Sequence, residues 1–183
     1  MDPFYNECRA FGRIIESNQN GKIAVRCYGH LAIPAEREEE LKQRFNIETW
    51  NRPDEERASK RQPFRAIMKD LVLGTVPFTD KQVKKMLRDL KRLRRLGIYP
   101  RDVQARNYVG GLLVDMSIAI TEPHFLFNIR PKWHVREVKL ADLLSFDTMM
   151  EEEKVGTWHR AARNEEYCGK LRSQKAKDSS SKR

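Results

Sequence analysis

Three polar side chains in one short stretch have the types and spacing to do chemistry. Asp102 stands five positions before Asn107, and Asp115 follows after Tyr108-Val109, Gly110-Gly111 and the apolar run Leu112-Leu113-Val114. A carboxylate can serve as a base or a metal ligand, and a neutral amide adds a hard oxygen donor without further charge repulsion. Two short apolar runs joined by Gly-Gly predict a tight hairpin with an acid at its exit. Such a hairpin would set Asp102, Asn107 and Asp115 around a common cleft. The plainer reading is a polar turn ahead of an ordinary strand.

The order Asp, Asn, Asp around a hairpin resembles the catalytic loop and metal-binding acid of the protein-kinase superfamily. The resemblance implies that Asp102 would take the proton of an attacking hydroxyl. Asn107 and Asp115 would hold Mg2+ on the phosphates of ATP. It also implies an α+β, protein-kinase-like fold, with a mostly helical large lobe over 73–169. A partial small lobe would span 1–72, as a helix, two strands and a charged insertion at 34–62.

The elements that must position these residues have their own signals. Phe4, Cys8, Phe11, Ile14 and Ile15 recur at helical spacing over 4–17, with Pro3 suited to the first turn. A strand is predicted over 22–28, and a second over 63–72 that runs toward Gly74. Thr79 and Gln82 form a capping box, opening a helix that Gly97 stops and whose core face holds Val83, Met86, Leu87, Leu90 and Leu93. Its other face, over 81–95, is basic. It either solvates the outer surface or binds phosphate or nucleic acid. A later helix over 140–153 shows Leu140, Leu143, Leu144 and Met150 as an apolar stripe, with Asp142 and Asp147 outside it. A short helix around Trp158, Ala161 and Ala162 and a basic, disordered tail over 170–183 complete the expectation.

Within the kinase likeness, Glu7 would be the helix acid that pairs with a nucleotide-gripping lysine; otherwise it is a solvent-facing charge. Lys69, Asp70 and Val72 would form the hinge against adenine. Residues 121–133 would take the place of the activation region, and Asp142 would hydrogen-bond the catalytic loop.

Composition narrows the partners. The 183 residues suit one domain or one lobe of a larger one, and 34% charged residues with net charge +10 favour nucleotides, nucleic acid or phosphorylated protein. Cys8, Cys27 and Cys168 are scattered, without the C-x-x-C of a zinc or redox site, and read as reduced thiols. The four histidines lack zinc-protease spacing, and neither a Walker loop nor a nucleophile elbow occurs. No start resembling a signal peptide and no apolar run near twenty residues appears, which predicts an intracellular chain, nuclear or cytoplasmic, with no membrane partner.

Several phrases carry a narrower likeness. Residues 2–10 (DPFYNECRA), 24–29 (AVRCYG), 61–70 (RQPFRAIMKD) and 83–90 (VKKMLRDL) resemble a fungal kinase-like family. That family is grouped with the Fta-two subunit of the kinetochore Sim-four complex. The likeness implies a kinetochore role and a protein partner.

The departures from a complete kinase shape the functional expectation. A kinase carries a glycine-rich loop and a strand lysine ahead of the Glu7 helix, yet only six residues precede Glu7 here. Pro100 stands in place of the loop histidine, Gln104 replaces the loop lysine, and Met116-Ser117 replace Phe-Gly. The expectation is an N-terminally truncated pseudokinase that acts as a binding or scaffold module, with ATP and Mg2+ held weakly or not at all. Two alternatives stay open. One is an ATP- and Mg-dependent phosphotransferase completed by a missing N-terminal segment or a partner, and the other a basic nucleic-acid-binding module built on 81–95.

Overall fold

The first helix starts at a side chain made for it. Asp2 accepts the Phe4 N–H at 2.9 Å and Pro3 takes the first helical position, opening α1 (Pro3–Glu16). The computed structural model describes residues 2–48, 63–73 and 78–155. α1 buries Ala10, Phe11 and Ile14. Its start is tied to the sheet, because Asp2 also accepts from Arg65 at 2.7 Å and the Arg65 guanidinium lies over the Phe4 and Tyr5 rings.

β1 (Cys27–Ile33) pairs antiparallel with β2 (Phe64–Lys69), and α2 (Ala35–Phe45) lies between them in the chain. The strand expected over 22–28 is thus displaced. Ile23, Ala24 and Val25 are buried, but outside the β1–β2 ladder: Ala24 bridges Leu113, and the Val25 N–H donates to the Leu113 carbonyl at 3.0 Å. Apolar burial, not sheet pairing, explains that run. The expected insertion at 34–62 begins as α2, and 49–62 lie outside the described residues.

α3 (Asp80–Arg95) has its capping box: Thr79 Oγ1 accepts the Gln82 N–H at 3.3 Å, and Gln82 Oε1 accepts the Thr79 N–H at 2.9 Å. Its core face is the expected one, with Asp89 buried as well and reached by Lys85 at 2.6 Å. Gly97 follows at φ +74°, where a Cβ would stand 3.0 Å from that of Glu122. Only glycine serves both demands.

The remaining strands are two residues each. β3 (Ile98–Tyr99) pairs with β6 (Ile120–Thr121), and β4 (Tyr108–Val109) with β5 (Leu112–Leu113) through Gly110 and Gly111, both at positive φ. α4 (Phe125–Ile129) is a single short helix, followed by α5 (Lys132–Glu152). α5 therefore begins eight residues before the expected 140, because Pro131 at its N-cap sets the start. The expected apolar stripe is also rotated: Leu144 is 56% exposed while Asp142 is fully buried. Asp142 faces Arg94 of α3, an ion pair that reverses its predicted outward position. The short helix near Trp158 and the basic tail lie outside the described residues.

One buried cluster joins α1, the 23–25 run, α3, the β4–β5 hairpin and α5, drawing residues from both sides of the expected boundary at 72. The architecture is mixed α+β with small antiparallel sheets. Among the described residues no helix is long and apolar enough to cross a membrane.

The Asp142–Arg94 pair makes a measurable claim. Burial raises the Asp142 carboxyl to about 6 from its ordinary 3.8, against the lowering pull of Arg94. An acid whose folded pKa exceeds its unfolded one holds its proton longer in the folded chain, so its penalty is complete above about pH 6 and is relieved as pH falls toward 3.8. Urea unfolding of the native chain and of Asp142→Asn should show the native chain gaining ~1 kcal/mol on the variant between about pH 7 and pH 5. Parallel pH profiles for the two proteins would refute this.

Candidate functional site

The loop between β3 and β4 brings two of the three expected residues together. After Arg101 the chain passes through a 3-10 turn (Ala105–Asn107) that aims Asn107 back along its own loop. Asn107 Nδ2 donates to the Asp102 carbonyl and to Asp102 Oδ2, each at 3.0 Å. Arg106 reaches the same Oδ2 at 3.2 Å. Asn107 is 6% exposed, and its amide nitrogen is spent on Asp102, which leaves Oδ1 as its remaining polar atom.

Asp115 sits differently. It leaves the hairpin directly after Val114, whose N–H donates to the Asn107 carbonyl at 2.9 Å, so the backbone links the two positions. Its Oδ1 accepts the Ser117 N–H at 2.7 Å, a local turn that fixes the carboxylate at the strand exit. Among the described residues no group of three or more His, Cys, Asp or Glu is arranged to hold a metal ion. The donors at hand are one carboxylate and one amide oxygen, a hard set that suits Mg2+ only when phosphate oxygens and water complete the shell.

Glu7 has a partner that the sequence reading did not assign to it. Lys69 Nζ lies 2.8 Å from Glu7 Oε1 and donates to the Val114 carbonyl, also at 2.8 Å. The same Glu7 oxygen accepts the Met116 N–H at 3.3 Å. An ammonium and a carboxylate are thereby fixed on both sides of Asp115. Lys69 was expected at the adenine hinge with Asp70 and Val72, but it reaches inward from the last position of β2. Asp70 instead accepts the Tyr28 hydroxyl at 2.6 Å, and Val72 packs against the core edge near Gly110.

The lysine was missed because its partner lies on another element, far away in the chain. Arg65, Ile67 and Lys69 share one face of β2: Arg65 reaches Asp2, Ile67 packs on the core and Lys69 reaches Glu7, so the strand carries all three toward α1, whose acid lies sixty-two positions before the lysine. The signal available in the sequence was a cation at a strand end, opposite the buried Cys27. Asp142 does not reach the loop as expected. Its hydrogen bonds go to Arg94 and to the Leu143 N–H of its own helix at 2.9 Å.

The outer face of α3 keeps Lys81, Lys84, Arg88, Lys91, Arg92 and Arg95 exposed. Lys85 and Arg94 leave the stripe. Lys85 reaches Asp89 and the Lys22 carbonyl, and Arg94 turns to Asp142 and the Lys139 carbonyl.

The Glu7–Lys69 pair is shielded, with side chains 12% and 26% exposed. Lys69→Met strands the Glu7 carboxylate and the Val114 carbonyl, and should cost about 2 kcal/mol of stability. Combining it with Glu7→Gln should cost less than the sum of the two single changes in a urea-denaturation cycle. Strict additivity would show that the pair is not coupled.

Neither a curated protein nor a solved structure is matched by the chain. Residues 1–120 match the family described as Kinetochore Sim4 complex subunit FTA2. The matched span covers α1, both strands of the larger sheet and the whole loop and hairpin that hold Asp102, Asn107 and Asp115. With well over half its length in that match, the chain belongs to the kinetochore Sim4 complex subunit FTA2 family.

Proposed function

We propose that this chain is a kinase-like, non-catalytic subunit of a kinetochore assembly, working in the nucleus as a binding and scaffold module for protein partners. The family supports the assembly role. The non-catalytic part rests on one observation: Asn107 donates to Asp102, and Lys69 to Glu7 and to the Val114 carbonyl beside Asp115. A site of phosphoryl-transfer type would need those atoms aimed at a nucleotide and an attacking hydroxyl. Here they hold a loop and a hairpin in place, which suits a rigid surface better than a reaction.

The second reading keeps the nucleotide. Lys69 is a cation fixed beside Asp115, although it comes from a strand that follows the Glu7 helix. In this reading Lys69 would hold ATP phosphates, and the Asn107 amide oxygen and Asp115 would hold Mg2+. Bound Mg2+ would neutralise phosphate charge. The chain's own part is to fix the lysine by Glu7 and to fix Asp102 by Asn107.

The two readings separate in cells and in the calorimeter. Asp102→Ala should leave a tagged chain at centromeric foci and leave chromosome segregation normal, whereas loss of the chain should disturb both. Titration of the purified chain with ATP and Mg2+ should give no heat that Lys69→Met abolishes. A segregation defect in Asp102→Ala, together with phosphate transfer that the same change removes, would overturn the scaffold reading in favour of an enzyme.

A further inference from the structure

A second region of the molecule is built for recognition. Arg101, at the start of the loop, is held at φ +68°, a left-handed conformation that a non-glycine residue rarely adopts. Arg101 lines a cleft of roughly 250 Å3 at the corner of α4 and α5. Ile120, Leu126, Phe127 and Val135 make the apolar floor, and Arg130 stands with Arg101 among its lining residues. The volume falls below the ~300 Å3 at which small-molecule and cofactor sites begin, so it suits one or two side chains.

The charges in the cleft are uncommitted. Arg101 and Arg130 are both exposed, and among the described residues neither guanidinium has an ion-pair or hydrogen-bond partner. Every other arginine named above, Arg9, Arg13, Arg65, Arg94 and Arg106 included, that lies against the loops or the sheet is engaged. None of the described residues lining the cleft is acidic; His134, one of them, lies 3.7 Å from Glu137. The floor is firm. The Lys139 ammonium lies 5.0 Å from the Phe127 ring centroid, Tyr99 meets the same ring edge-on at 5.8 Å, and Lys139 is itself paired with Glu122 at 2.5 Å.

Exposed apolar side chains gather beside it. Trp133, next in the chain to His134 of the cleft lining, is 64% exposed; Phe125 and Ile129 of α4 are also exposed. Free arginines, an exposed tryptophan and a small apolar cleft are the composition of a protein-binding hot spot. A phosphodiester backbone has no use for the apolar floor, and the basic face of α3 offers it a plainer surface.

We propose that this cleft docks a segment of a partner protein in which a bulky apolar side chain is followed or preceded closely by a carboxylate. The apolar group fills the space over Phe127, and the carboxylate bridges Arg101 and Arg130, the arrangement that a guanidinium fork recognises best. The docking mode shares with the proposed function only the notion of a protein partner. Its test reads the cleft alone and is indifferent to Asp102 and Lys69.

A phage library of random twelve-residue peptides, selected on the full chain, is the probe. Selection should enrich peptides with a large apolar residue within four positions of Asp or Glu. The synthetic form of an enriched peptide should bind at least tenfold more weakly to the Arg101→Gln/Arg130→Gln double variant and to Trp133→Ala. Both arginines are exposed and unpaired, so the double variant should keep the native melting temperature. A peptide with its apolar residue changed to Ser should lose binding, and one with the acid changed to Asn should lose the salt dependence of binding. Failure to enrich any consensus overturns the proposal. Binding indifferent to the arginine changes also overturns it, as does displacement of the peptide by duplex DNA, which would make the surface a nucleic-acid site.

Discussion

The structure depends on one polar edge of α1. The segment from Met116 to Pro123 has little regular pairing of its own, and its buried backbone groups need partners. α1 supplies them: Asn6 donates to the Ser117 carbonyl at 3.0 Å, Glu7 accepts the Met116 N–H, Arg9 donates to the Thr121 and Pro123 carbonyls, and Arg13 to the Glu122 carbonyl at 3.1 Å. These residues lie along one edge of the helix while Phe11 and Ile14 face the core. The same helix thus satisfies an irregular backbone and packs a hydrophobic centre. Glu7 also holds Lys69, so the sheet, the helix and the hairpin exit meet at one carboxylate.

Charge is used inside this protein as well as outside it. α3 carries a long row of basic residues, and two of them turn away from solvent to meet buried acids: Lys85 meets Asp89 and Arg94 meets Asp142. Burying an acid is costly unless its partner stays close, and removing one partner leaves the other stranded. The two pairs fix how α3 rotates, and Arg94–Asp142 fixes where α5 lies against it. The six basic side chains left on the outer face, Arg92 also lying 3.9 Å from Asp89, act at long range, drawing acidic partners toward a molecule of net charge +10.

Features set by near neighbours in the chain were legible in the sequence. The Thr79–Gln82 capping box, the core face of α3, the Gly110-Gly111 hairpin and the start of α1 depend on spacing and turn chemistry alone. The contact between Asp102 and Asn107 belongs with them, since one 3-10 turn brings them together. Features set by distant parts of the chain were not legible. The burial of Asp142 depends on Arg94, forty-eight positions away, and the inward turn of Lys69 depends on Glu7, sixty-two positions before it. The 23–25 run has the apolar content of a strand, but pairing went to the segment after it. Composition says that such residues are buried; it does not say against what.

Asn6 and Glu7 meet Ser117 and Met116, and Arg9 and Arg13 meet Thr121, Glu122 and Pro123, so the two segments run the same way although single contacts cross. A pull along the helix axis therefore loads these bonds side by side instead of opening them from one end. Detachment of α1 would be a cooperative rupture, resisted by all of them at once. In mechanical terms α1 is less a first layer of the fold than a rivet line, set across the segment that joins the candidate site to the α4–α5 corner.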